Sequence, residues 1–236
     1  MDTIFYIIKK DVKNILNKRN ILLFLMLIIG IIIFPLTKDI AMKIRLIMDT
    51  FPLFLVIICS KILVEEFEYN TYKYTFTGKL SRSFIVISKS LSAITIAMLF
   101  GIIFSTLALV AIFWDSGEID LNLIMKLTLN MEMVFISFTL FVSSIAFLIS
   151  IITKNFIATF LLLYLMFFDT FKTTLQLMAN KTKIVSLEKI LKETPFLNIM
   201  DGFQVFHYSV QTIISLTSIG IVLLLLDCII IRKKDL

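Results

Sequence analysis

The chain of 236 residues is 59% hydrophobic and only 17% charged, with a net charge of +6. Soluble domains carry about 25% charged residues, and a soluble fold cannot hide this much apolar surface, so a polytopic membrane protein is expected. The positive balance does not argue for nucleic acid, because most basic residues flank apolar segments, where they meet anionic lipid and set orientation.

Residues 1–19 read as an amphipathic helix. At 100° per residue, Met1, Ile4, Phe5, Ile8, Val12, Ile15 and Leu16 fall within an arc of about 120°, with Lys9, Lys10, Lys13 and Asn17 on the other side. Such a helix just before a span lies in the interface plane. The alternatives are a solvated helix or the start of the first span. The charges from Lys9 to Arg19 leave no compact apolar core, so no signal peptide is expected.

The first span is 21–36, with Pro35 near its end. Residues 37–50 form either a loop or the outer turns of a long second helix kinked at Pro52; the second span is 51–64. A polar, aromatic and charged stretch then occupies 65–89. The third span, about 90–114, closes on Trp114, the sole tryptophan and an interfacial anchor. An acidic turn from Asp115 to Asp120 precedes the fourth span, about 134–152. Thr153-Lys154-Asn155 is a tight turn, so spans four and five are antiparallel neighbours. The fifth span, about 156–177, contains Asp169 and Lys172. Residues 178–207 are mixed, with a short amphipathic helix stopped at Pro195. The sixth span, about 208–231, ends on Arg232-Lys233-Lys234.

Six spans put both termini on one side, and the basic bias puts that side in the cytoplasm. Every backbone group in hydrocarbon must be paired internally. Runs of about 20 apolar residues suit helices, and the alternation of barrel strands is missing from the sequence. The expected fold is an all-α membrane bundle in a single transmembrane domain.

Enzymatic chemistry is hard to place. Gly78-Lys79 is followed by Leu80, and position 73 is Lys where a P-loop requires Gly, so this chain does not bind ATP by that motif. The single histidine, His207, excludes a two-histidine zinc motif. Glu65-Glu66 invites comparison with prenyl-protein peptidases, but Asn70 stands where they need Arg. Cys59 and Cys228 lie inside apolar segments and read as small buried residues, not a disulfide.

The 65–89 stretch is the most informative. Its acidic start at Glu65, Glu66 and Glu68, the Thr71-Tyr72-Lys73 core and the Ser81-Arg82…Ser88-Lys89 end resemble the loop after the second membrane helix of ABC-2 type transporter permeases. The Arg232-Lys233-Lys234 tail is also similar to the end of those chains. The resemblance implies a type V exporter-like fold: an N-terminal elbow helix (1–19), six spans, a cytoplasmic coupling helix at about 70–80 and an outer re-entrant loop (178–207). It implies that the coupling helix docks on a separate ATPase subunit, present in two copies. That subunit, not this chain, would bind ATP and Mg. Tyr72, Tyr74, Phe76 and Leu80 would be apolar anchors for the ATPase groove, with Lys73 and Lys79 steering the encounter. Glu65 and Glu66 would form the hinge into the helix; the plainer reading is an acidic helix end entering water. Arg82 and Lys89, seven residues apart, share a helical face that can bind phosphate headgroups or nearby carboxylates. A second permease chain, identical or related, would complete the assembly.

Asp169 and Asp227 are acids at the edge of spans, where charge is costly and usually paired or functional. Asp169 can pair with Lys172 three residues on, and Asp227 can meet Arg232 or Lys61; each is either a local ion pair or part of a translocation path. The outer segments Phe196–Met200 and Phe203–Phe206 would face lipid or substrate. The expected function is the permease of an ABC exporter moving an amphipathic or apolar cargo, in the first place a peptide. The competing classes are a stand-alone immunity or scaffold protein and an ion-coupled secondary transporter. The latter would need a midplane ionisable site or an internal repeat.

Overall fold

A computed structural model describes residues 2–15, 17, 40–68, 81–116, 120–168, 199–204 and 207–233. Every regular element among them is an α-helix: α1 (Asp2–Ile15), α2 (Ile40–Glu68), α3 (Arg82–Ser116), α4 (Leu121–Thr153), α5 (Phe156–Phe167), α6 (Asp201–Gln204) and α7 (Val210–Lys233). Stretches in α3, α4 and α7 (Arg82–Val110, Ile124–Thr153 and Val210–Lys233) are long and apolar enough to cross a membrane. They leave many large apolar side chains on the outside, including Ile102, Val110, Leu129, Ile214, Val222 and Leu225. A bilayer is the solvent that makes such a surface stable.

Several expected boundaries move. α2 is one helix from Ile40 through Pro52 to Glu68, so 40–50 is helical and not a loop. The polar stretch is shorter than 65–89, because both helices run into it. Phe67 is buried on the last turn of α2, and Ile85 and Val86 are buried on the first turns of α3, so packing extends each helix past its hydrophobic run. α3 therefore starts at Arg82 rather than near Ser90. α4 starts at Leu121, where the Asp120 side chain accepts from the Asn122 N–H as an N-cap. α5 runs from Phe156 to Phe167, with Phe168 extended, and the rest of the expected fifth span, 169–177, lies outside the described residues. At about 18 Å α5 is too short to cross about 30 Å of hydrocarbon alone. The expected first span (21–36), the coupling helix and most of 178–207 lie outside the described residues.

The turn between α4 and α5 is as tight as its sequence suggests. Lys154 adopts a left-handed conformation (φ 51°) and its N–H bonds Ser150 O, while the Asn155 side chain caps α5 through Ala158 N–H. α4 is the central helix, packing on α2, α3, α5 and α7. Against α7 the approach is close: Gly220 leaves room for Leu140 and the Phe141 backbone, and Ser144 Oγ donates to Gly220 O at 2.8 Å. Small residues and hydroxyls of this kind hold helices together where lipid removes the hydrophobic drive.

An aromatic cluster fills the far half of the bundle, about 26 Å along α2 from Glu68. Phe51, Phe104, Phe135 and Phe203 meet edge to face at centroid distances of 5.1–6.5 Å, and Phe138 joins Phe203 at 4.9 Å. Phe203 belongs to α6. Phe203 and Ile199 are buried in this core, contrary to the expectation that they face lipid or substrate. The Tyr208 ring lies over Gly202 and its hydroxyl donates to Ile199 O, which folds the segment onto itself.

Candidate functional site

The described polar contacts between helices concentrate at one end. Lys89, two turns into α3, is the hub. Its Nζ lies 2.9 Å from Asp11 Oδ1 of α1 and 2.9 Å from Glu66 Oε1 of α2. The three side chains are 7%, 10% and 14% exposed, so this is a buried cluster and not a surface pair. Ser92 Oγ adds a hydrogen bond to Asp11 Oδ2 at 3.2 Å. One ammonium thus joins three helices distant in sequence. Buried charges persist only when so paired, and removing one partner strands the others.

Around the hub, five further contacts tie the same end. Glu68 Oε1 accepts from the Phe156 N–H at 2.8 Å, placing a carboxylate at the N-terminus of α5, where the helix dipole favours it. Lys154 lies 6.0 Å over the Phe67 ring. Ser83 Oγ donates to Cys228 O at 3.2 Å, and Arg232 Nε donates to Ser83 Oγ at 2.6 Å. Arg82 Nη1 reaches Ile231 O at 3.4 Å. The C-terminal ends of α2, α4 and α7, the N-terminal ends of α3 and α5, and α1 therefore meet in one clasp. Glu68 and Arg82, the ends of the two helices that flank 69–80 in the chain, both take part in it.

The expected site residues divide three ways. Glu66 and Arg82 are in the clasp. Glu65 is one turn from Lys61 and pairs with it at 3.3 Å, about one-third exposed. Tyr72, Lys73, Tyr74, Phe76, Lys79, Leu80, Asp169 and Lys172 lie outside the described residues. Of the two readings for Lys89, carboxylates are what it meets. Of the two readings for Asp227, the ion pair finds no partner: it is fully buried in α7, and neither oxygen has a hydrogen-bond partner among the described residues. Lys61 is engaged by Glu65 and Arg232 by Ser83, so neither supplies the anticipated pair.

Two residues were missed. Asp11 looked like one charge among lysines, yet at 100° per residue it falls at about 20°, beside Ile4 and Ile15 on the apolar arc. An acid on the packed face was the available signal. Glu132 is the other. It lies within the apolar stretch of α4, beyond the expected start of the fourth span, with both oxygens shielded and unpartnered among the described residues. It sits over Gly101 of α3, where any Cβ would collide with its carboxylate. Among the described residues no group of His, Cys, Asp and Glu could hold a metal ion, and Cys59 and Cys228 are free thiols.

The chain matches no protein-family model and no curated sequence.

Proposed function

We propose that this chain is the membrane-spanning permease subunit of an ATP-driven ABC exporter of the ABC-2 kind, and that it forms the pathway for an amphipathic or apolar cargo, a peptide in the first place. The supporting observation is the clasp: the last turn of α2 and the first turns of α3, which flank 69–80 in the chain, are joined with α1 through the Asp11–Lys89–Glu66 cluster, with α5 and α7 tied alongside. A rigid cluster of this sort turns a push on 69–80 into movement of several membrane helices at once. In this reading α1 is the elbow helix, 70–80 is the coupling helix, six spans put both termini in the cytoplasm, and 178–207 caps the outer mouth. Two ATPase subunits bind ATP and Mg and a second permease chain completes the pathway, while this chain performs no covalent chemistry. Nucleotide binding shifts the bundle between its states by favouring one position of the coupling helix.

The test is affinity purification of the tagged chain from native membranes in mild detergent, with the stoichiometry of what accompanies it. The expected result is one P-loop ATPase per permease chain, lost when Tyr72→Ala, Tyr74→Ala and Phe76→Ala are combined. A chain that purifies without any nucleotide-binding protein overturns the reading in favour of a stand-alone membrane factor.

A second reading draws on Glu132 and Asp227. Carboxylates without partners inside apolar helices mark ion or proton routes in many membrane proteins, so an ion-coupled transporter has more support here than the sequence offered. It predicts transport by reconstituted chain alone, driven by an ion gradient and abolished by Glu132→Gln or Asp227→Asn.

A further inference from the structure

We infer that the outward face of α1 is a binding surface for the anionic phospholipid headgroups of the bilayer. α1 is the most amphipathic of the described helices, and the structure settles which way it faces. Asp11 is buried against α3, and Val12 and Ile15 pack on the core. That leaves Phe5 and Tyr6 outside, 71% and 68% exposed, beside exposed Lys9, Lys10 and Lys13. These five fall within an arc of about 140° at 100° per residue. So the apolar arc is not the membrane-facing side of this helix: much of it is spent on the protein, and a basic, aromatic face looks out.

The chemistry of that face selects its partner. Three ammonium groups fit phosphate, with Asp2, two turns before Lys9 at the helix start, as the acid on the same arc; an aromatic pair beside them suits the headgroup level, where a ring buries its body and the polar groups stay wet. The location fits too. Asp11 binds Lys89, about 10 Å along α3 from its start at Arg82, which puts α1 beside the end of an apolar stretch. Each lysine near an anionic surface contributes favourably and additively, so three set a preference and not merely a tolerance. The same helix bears Asp11 on its inner side, so lipid held outside and Lys89 held inside act on one rigid rod. This inference stands on α1 alone and does not depend on the transport reading.

The experiment uses the full chain in nanodiscs. Trp114→Phe removes the only tryptophan, and Tyr6→Trp places a reporter on the face. Its fluorescence is read in discs containing brominated phosphatidylglycerol or brominated phosphatidylcholine in an otherwise identical mixture. The expected result is quenching by both, with phosphatidylglycerol more effective by about tenfold or more in local enrichment, and equal quenching once Lys9→Gln, Lys10→Gln and Lys13→Gln are introduced. Equal quenching by the two lipids in the unmodified lysine background overturns the selectivity. No quenching by either, with the emission of a water-exposed indole, overturns the surface altogether and leaves the face for a soluble partner.

Discussion

At the scale of single residues, Lys89 carries more of the structure than any other charge described. Its neighbours Asp11 and Glu66 are shielded from water, so Lys89→Met removes the cation that two buried carboxylates share. The expected cost is about 3–5 kcal/mol, read as thermal unfolding of the detergent-purified protein. Lys61→Met is the internal control. Its pair with Glu65 is about one-third exposed on each side and should be worth less than about 1 kcal/mol. Replacing the whole cluster with apolar residues (Asp11→Leu, Glu66→Leu, Lys89→Met) should restore most of the stability, since buried ion pairs are often matched by well-packed hydrophobic side chains. If the cluster transmits movement from 69–80, that stable triple variant still loses transport. A triple variant that is stable and fully active would show that the charges serve only to fasten α1.

At the scale of elements, the two ends of the bundle are built differently. One end is closed by charge and hydrogen bonds, the other by phenylalanine rings, into which α6 inserts Phe203. The insertion depends on Gly202, because a methyl group there would occupy the place of the Tyr208 ring. Gly202→Ala should therefore cost about 1–3 kcal/mol by overpacking and Phe203→Ala about 3–5 kcal/mol by cavity formation. Both should speed amide exchange at His207, whose N–H bonds to Gly202 O. Protection at His207 unchanged in both variants would mean that the segment is held by something other than this plug. Helix type was legible in the sequence because apolar runs, the Asn155 cap and the basic end of α7 are local signals. The boundaries of α3 and α5 were less so. α3 begins in a polar stretch because Ser83, Ile85 and Val86 are covered by packing that no local pattern reveals. α5 ends at Phe167, just before Asp169 and Lys172, charges that the expected span ran through. The Lys89 cluster was hidden for a related cause: its three members are far apart in sequence and meet only through tertiary packing.

At the scale of the whole molecule, the clasp fixes which parts of the chain share a side. Asp11 is bound to Lys89 and Arg232 to Ser83, so α1 and the end of α7 both sit at the start of α3. α3 runs from there to Ser116, more than 30 residues away, which carries the turn before α4 to the opposite end of the bundle. The charged end gathers Lys9, Lys10, Lys13, Arg82, Lys89, Lys154, Arg232 and Lys233, while Lys43, Arg45 and Lys126 fall toward the other end of their helices. Basic residues beside spans remain in the cytoplasm, so the clasp should face inward. Short epitope tags at the N-terminus, at the C-terminus and after Gly117 test this in sealed inside-out vesicles treated with protease. The two terminal tags should be digested together and the tag at Gly117 protected. Termini with opposite fates would break the clasp, because Asp11 and Arg232 cannot then reach the same two turns of α3. Termini that are both protected, with Gly117 digested, would keep the clasp and invert the molecule, placing 69–80 on the outer face where no cytoplasmic ATPase could reach it.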